Sequence, residues 1–286
     1  MVKYRVVKVS SKIWKPKMDL AKTLEEMLKG RVENGDFVVL SEKALAVALG
    51  FIFDEENVKP SKISKVFTFF WMRIVWGWFL GPLCRLKAST IGWLKNYPLE
   101  EGSAHKQLTL KFVGILQTLK PTSEGGIDGS NLPGRLVALP IKNLKPLLEN
   151  LKTILSRRLG VNLTFMVVDS DRVYILKNKS FNLAISTRKT CFREIVYMGF
   201  LAYILGRVFR RFFKPNATPL MVVGEKISVK EALTIAEKAD RVRGYGAGRT
   251  VFEMAERFKT TIDGVTWDML EKIRHYPVVI IRRLNH

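Results

Sequence analysis

The chain has 286 residues and 47% hydrophobic content, enough to bury one large core or two ordinary ones. Forty-eight Lys and Arg against 26 Asp and Glu leave a formal net charge of +22, which favours anionic partners such as nucleic acid, acidic lipid or phosphorylated small molecules. No zinc-finger, RNP or helix-turn-helix pattern accompanies that charge, and Cys84 and Cys191, far apart in apolar surroundings, indicate neither a disulfide framework nor a cysteine metal site.

Met1 to Val9 alternates apolar and basic residues like a strand and lacks the continuous apolar core of a signal peptide, so a cytoplasmic location is expected. Asp19 to Leu28 carries Leu20, Leu24, Met27 and Leu28 at helical spacing, with Gly30 just past its end. Asp36 to Leu40 reads as a strand ending at Ser41, a candidate cap for a helix over 42–49 closed by Gly50. Ser41, Glu42 and Lys43 then stand at a helix N-terminus, where free backbone donors attract phosphate; an ordinary cap has the same sequence.

Val66 to Leu86 is nearly long enough to span a membrane, but Arg73 falls inside it and Gly81-Pro82 breaks it. Its Phe67, Phe69, Phe70, Trp71, Trp76, Trp78 and Phe79 fit a helix buried in a dimer interface or lying on a membrane surface. His105, in the segment 102–119, is a candidate substrate or general-acid residue, or else a hydrogen-bonded structural group.

The densest chemistry lies in Ser123 to Pro133, which holds Glu124, Asp128, Ser130 and Asn131 among three glycines. Glycines admit close backbone approach and the oxygens suit a hard cation carrying phosphate, although two consecutive turns use the same residues. Leu144 to Leu159 predicts an amphipathic helix ending at Gly160. A strand over 162–168 then ends in Asp169-Ser170-Asp171, whose carboxylates share a face if the strand continues; solvated acids in a turn are the alternative. Ile195 to Leu205 predicts a core helix running into Arg207, Arg210 and Arg211. Ser228 with Glu231, and Thr250 with Glu253, form capping boxes on either side of a glycine-rich loop containing Gly244, Gly246, Gly248 and Arg249. Such a loop before a helix can cradle phosphate, with Arg249 pairing to an oxygen, or can simply connect two helices. No Gly-Lys-Ser or Gly-Lys-Thr follows, so it is not a P-loop.

Taken in order, Asp36-Phe-Val-Val-Leu-Ser-Glu-Lys, His105-Lys-Gln, Glu124-Gly-Gly-Ile-Asp-Gly-Ser-Asn-Leu-Pro, Leu139-Pro and Val167-Val-Asp-Ser resemble the coenzyme F-420 gamma-glutamyl ligase family over about the first two thirds of the chain. The resemblance implies an α+β fold with mixed sheets and packed helices, and usually a homodimer. It implies nucleotide-dependent addition of L-glutamate through a gamma-linked amide to a deazaflavin precursor or related acceptor, by way of an acyl phosphate. Carried over by position, it assigns Asp128, Asp169 and Ser170, with Asp171 beside them, to Mg2+ or Mn2+. It assigns Glu42, Lys43 and Asn131 to the nucleotide, GTP or ATP. The chain departs from the family at Val47, where a lysine is usual, at Tyr245, near a usual Gln or Glu ligand, and at Ala184-Ile-Ser, where Ala-Ile-Gly is usual.

The expected organisation is a main ligase-like region over 1–225, with helical insertions near 63–97 and 188–214, and a portion over 226–286 that completes the same site. Asp128 and His105 are the catalytic candidates. A rival expectation is a non-catalytic or repurposed chain that binds nucleic acid or an anionic membrane through its basic face.

Overall fold

The computed structural model describes residues 2–122, 124–177 and 183–284; Ser123, the first residue of the predicted loop, lies outside them. The strands are β1 (Lys3–Ser11), β2 (Phe37–Ser41), β3 (Ile52–Asp54), β4 (Leu136–Ala138), β5 (Thr164–Leu176), β6 (Ala184–Ser186), β7 (Ile195–Tyr197), β8 (Phe213–Val223) and β9 (His275–Leu284). The principal α-helices are α1 (Leu20–Leu28), α2 (Glu42–Ala48), α3 (Lys62–Thr68), α4 (Gly81–Leu83), α5 (Ala88–Lys95), α6 (Leu99–Val113), α7 (Ile115–Thr118), α8 (Leu144–Leu159), α9 (Phe200–Val208), α10 (Val229–Arg243), α11 (Val251–Phe258) and α12 (Trp267–Glu271). The fold is α+β.

A mixed seven-stranded sheet runs β1-β9-β2-β5-β6-β7, with β8 pairing the other edge of β5 along nearly its whole length. Period-two alternation in its central strands sorts their side chains onto two cores. Val38, Leu40, Phe165, Val167, Val278 and Ile280 face α1, α2 and α8. Phe37, Val39, Met166, Val168, Val279 and Ile281 face the small-residue stripe of α10, formed by Ala232, Ile235, Ala236 and Ala239. β2 and β5 run parallel and β9 is antiparallel to β2, so the C-terminal segment sits inside the sheet.

β5 does not end at Val168. It runs through Leu176, and its register with β8 steps from Asp169 opposite Thr218 to Arg172 opposite Ala217. Ser170 and Asp171 are thus accommodated in a bulge, a device that re-aims side chains beside a site. This bulge, rather than a strand terminus, positions the two aspartates.

The aromatic segment forms one continuous helical run from Lys62 to Leu83, π-wound over Phe69–Leu80. The Gly81 amide donates to the Trp76 carbonyl, five residues back. Met72, Trp76, Cys84, Leu94 and Tyr97 form a separate small core, on which Tyr203, Ile204 and Val208 of α9 pack. The two predicted insertions are therefore one helical layer. The predicted helix over 195–205 is divided: Ile195–Tyr197 joins the sheet as β7, and the helix occupies Phe200–Val208.

Candidate active site

A cavity of about 280 Å³ opens where β2 hands over to α2, beside the β5 bulge and the start of β9. Ser41, Glu42, Lys43, Asp128, Asn131, Asp169, Ser170, Asp171, Gly244, Gly246, Gly248 and Arg249 all line it. Every predicted site residue except His105 is therefore gathered at one place.

Inside the cavity each carboxylate already has a cation. Lys43 Nζ donates to Asp128 Oδ2 at 2.7 Å and also to Ser130 Oγ, while the Ser130 amide donates to Asp128 Oδ1 at 2.7 Å, so the loop is a closed Asx turn. Arg188 donates from Nη1 and Nη2 to the two oxygens of Glu42, each at 2.8 Å, and from Nη1 to Asp169 Oδ2. Lys120 Nζ donates to Asp171 Oδ2 at 2.8 Å. Burial pushes Glu42 up to about 7 even though Arg188 opposes it. Burial works in the same direction at Asp169, but Arg188 and Lys120 reverse it and hold that carboxyl below its ordinary value.

These pairings change several expected roles. Glu42 is buried beneath Arg188 instead of presenting itself to a nucleotide. Ser170 lines the cavity, but its Oγ is turned toward Asp240 and donates to it at 2.7 Å. Ser41 makes no side-chain capping bond to α2. Val47, at the position where a lysine was expected, is buried in the main core.

The glycine-rich loop is held closed from within. Ala247 N donates to Asn131 Oδ1 at 2.6 Å, and Asn131 Nδ2 donates back to the carbonyls of Tyr245 (3.2 Å) and Gly248 (3.3 Å). Arg249 N donates to Glu253 Oε2 at 2.9 Å, and the Arg249 guanidinium stacks over the Tyr245 ring at 4.4 Å. Asn131 is thus the clamp on this loop, and the amides of Ala247 and Arg249 are not open to a phosphate. Gly246, at φ +61°, leaves room for that clamp: an added Cβ would stand 2.3 Å from Asn131 Oδ1.

Two cavity residues were missed by sequence reasoning. His275 begins β9 against the loop, and its Nε2 is buried with no partner among the described residues. Burial, helped by the nearby charge of Lys43, lowers His275 to about 4, so the ring is neutral near pH 7 and open to a ligand's hydrogen bond. Arg188 carried only a faint signal, since it follows the altered Ala184-Ile-Ser run. Behind the Glu42–Arg188 pair lies a second cavity of about 550 Å³, where Lys142, Lys145 and Lys189 gather with Phe112, Tyr197 and Met221.

His105 lies outside both cavities. Its Nδ1 meets Glu55 Oε1 at 2.5 Å and its Nε2 meets Glu124 Oε2 at 3.2 Å, while Lys106 Nζ donates to Glu124 Oε1 at 2.6 Å. Burial disfavours the charged ring, but Glu55 and Glu124 override it and push His105 up to about 10. The geometry makes it a structural cation beneath the Asp128 loop, and no general-acid role is carried forward. Because its folded value lies above the ordinary 6.5, the stability it contributes is full below that pH and is lost as pH rises through about 10. His105→Asn is expected to flatten that part of the pH profile, read from urea midpoints across the interval.

For a divalent metal, Asp128 fits: it is half-exposed, faces the cavity and is an oxygen donor. Asp169 and Asp171 are committed to Arg188 and Lys120, and Ser170 is turned away. Among the described residues no group of three or more His, Cys, Asp or Glu is arranged to hold a metal.

Residues 8–194 match the family described as F420-0:Gamma-glutamyl ligase, well over half of the chain. The chain belongs to the F420-0:gamma-glutamyl ligase family. It is similar to "Uncharacterized protein MJ1361" of Methanocaldococcus jannaschii, 34% identical over 256 residues that cover 88% of this chain and 86% of the relative. The family is one of amide-forming ligases, and the matched segment supplies Lys43, Asp128 and Asp169 to the first cavity and Arg188 to the second. The glycine-rich loop, Arg243 and His275 come from beyond it.

Proposed function

We propose that the protein is a nucleotide-dependent carboxylate-amine ligase that adds L-glutamate through a gamma-linked amide to a deazaflavin precursor or a related acceptor. The observation that carries this reading is the cavity itself, which brings Lys43, Asp128 and the glycine-rich loop from three distant segments to one mouth. Lys43 would meet the phosphates of GTP or ATP as a compact cation. A Mg2+ or Mn2+ ion entering with the nucleotide would use the Asp128 carboxylate and phosphate oxygens and would neutralise phosphate charge.

In the proposed reaction an acceptor carboxylate oxygen attacks the terminal phosphorus, giving an acyl phosphate and releasing the nucleoside diphosphate. The glutamate amine then attacks the acyl carbon, and phosphate leaves. Lys142, Lys145 and Lys189 around the second cavity give an anionic acceptor a place on the far side of the Glu42–Arg188 pair.

Incubating the full chain with acceptor, glutamate, Mg2+ or Mn2+ and either nucleotide is expected to yield an amide product heavier by one glutamyl residue by mass spectrometry, with nucleoside diphosphate and phosphate released. Asp128→Asn is expected to lower turnover by about 10²-fold or more, in line with loss of one preorganised electrostatic partner. No product with either nucleotide sinks the reading.

A further inference from the structure

The helical layer formed by the two insertions leaves a large apolar face uncovered. Its run from Lys62 to Leu83 spans 22 residues, and the most apolar 18-residue stretch within it has mean hydropathy 1.3 yet is only 28% buried. The outward side carries Ile63 (82% exposed), Val66, Phe70, Trp78 (61%), Phe79 (66%) and Leu83. The adjoining α9 region adds exposed Leu201, Phe209 and Phe212. Contiguous apolar patches of this kind mark docking surfaces.

Charge selects the occupant. No Asp or Glu occurs between Glu56 and Glu100, where seven Lys and Arg stand, or between Glu194 and Glu225, where four more do. Eleven of the chain's basic residues thus fall in these two segments, of which Arg73 turns inward to the Tyr97 carbonyl. One of them, Lys65, is paired from outside with Glu100 at 2.5 Å, and Lys95 sits over the Trp78 ring at 3.4 Å. Arg210 and Arg211 lie just past α9 with no carboxylate partner among the described residues.

We propose that this face docks on the surface of an anionic lipid bilayer, with the Lys62–Leu83 run lying in the interface plane. Trp78, Phe79 and Phe70 would sit at the level where headgroups meet acyl chains, and Arg210 and Arg211 would meet lipid phosphates. A second copy of the chain is a poorer occupant, because an isologous contact sets this cationic rim against itself with no carboxylate to answer it. RNA is poorer too, since Ile63, Val66, Leu83 and Leu201 offer nothing to a phosphate backbone.

Crossing the bilayer is opposed by polar staples on the inward side. Trp71 Nε1 and Trp76 Nε1 both donate to the Leu119 carbonyl at 2.9 Å, and Arg73 donates to the Tyr97 carbonyl at 2.9 and 2.7 Å. Pulling the helix away would break these bonds and open the small core around Met72 and Trp76.

The test is co-sedimentation of the intact protein with vesicles of phosphatidylcholine, alone or with about 30% phosphatidylglycerol, at about 0.1 M salt. Binding is expected to be at least about tenfold tighter on the anionic vesicles and to fall about tenfold in Trp78→Ser/Phe79→Ser, whose thermal melt should match the parent because both side chains are exposed. Arg210→Glu/Arg211→Glu is expected to erase the preference for anionic lipid. The proposal is overturned by an absence of binding to anionic vesicles or by unchanged binding in the aromatic variant. It is equally overturned by a solution dimer that Trp78→Ser/Phe79→Ser disperses, or by retention on RNA without retention on vesicles.

Discussion

Arg188→Leu is expected to lower the free energy of unfolding by about 3–5 kcal/mol, the usual loss when one member of a buried ion pair is removed. Its guanidinium is buried and neutralises Glu42 through two 2.8 Å bonds while also meeting Asp169. Without it, two largely buried carboxylates lose their counter-charge, and Glu42, already pushed up to about 7 by burial, takes a proton. Arg188→Leu/Glu42→Leu should recover part of the loss, because an apolar pair removes the uncompensated charge of Glu42 but not that of Asp169. Urea unfolding of the parent and both variants measures this; a single variant within about 1 kcal/mol of the parent would show that the pair carries no weight.

Lys106→Met is expected to be comparably costly, about 3–5 kcal/mol. The ammonium is 1% exposed and donates to Glu124 at 2.6 Å, to the Thr118 carbonyl at 2.9 Å and to the Lys120 carbonyl at 2.5 Å. Methionine fills similar volume, so the cost isolates the three lost bonds and the charge left on Glu124. Lys106→Met/Glu124→Gln should cost less than the sum of the single changes, a coupling readable in a double-mutant cycle. Because Glu124 opens the turn that leads to Asp128, the same variant should also weaken nucleotide binding.

Much of the scaffold was legible because its causes are local. The alternation in 37–41 and 164–168 sorts side chains onto two faces, and Ser228 and Thr250 each accept the capping bond their spacing implied. Gly160 ends α8 in the left-handed conformation, as its place after a periodic run suggested. The glycine-aspartate loop and the strand aspartates do meet in one cavity, which followed from resemblance rather than from pattern.

What could not be read is pairing at a distance. Glu42 and Arg188 are separated by 146 positions, and Lys120 and Asp171 by 51, so nothing near either residue announces its partner. The same limit made the carboxylates look free for metal. The bulge at Ser170 and Asp171 depends on where β8 pairs, and nothing near Ser170 in the sequence announces that its hydroxyl donates to Asp240. His105 looked catalytic because only its own position was visible; Glu55 and Glu124, which hold its ring, come from other turns.

The position of β9 has a consequence for how this enzyme comes into being. Residues 275–284 lie between β1 and β2, so β1 has no lateral contact with the rest of the sheet until the far end of the chain arrives, and β2 until then has only β5 beside it. A nascent chain that has emerged as far as residue 194 contains the whole family-matched segment but neither β8, β9 nor α10, and exposes the sheet's apolar edges meanwhile. His275 reaches the cavity only with that last strand, so the lining of the cavity and the closed sheet are completed in the same step.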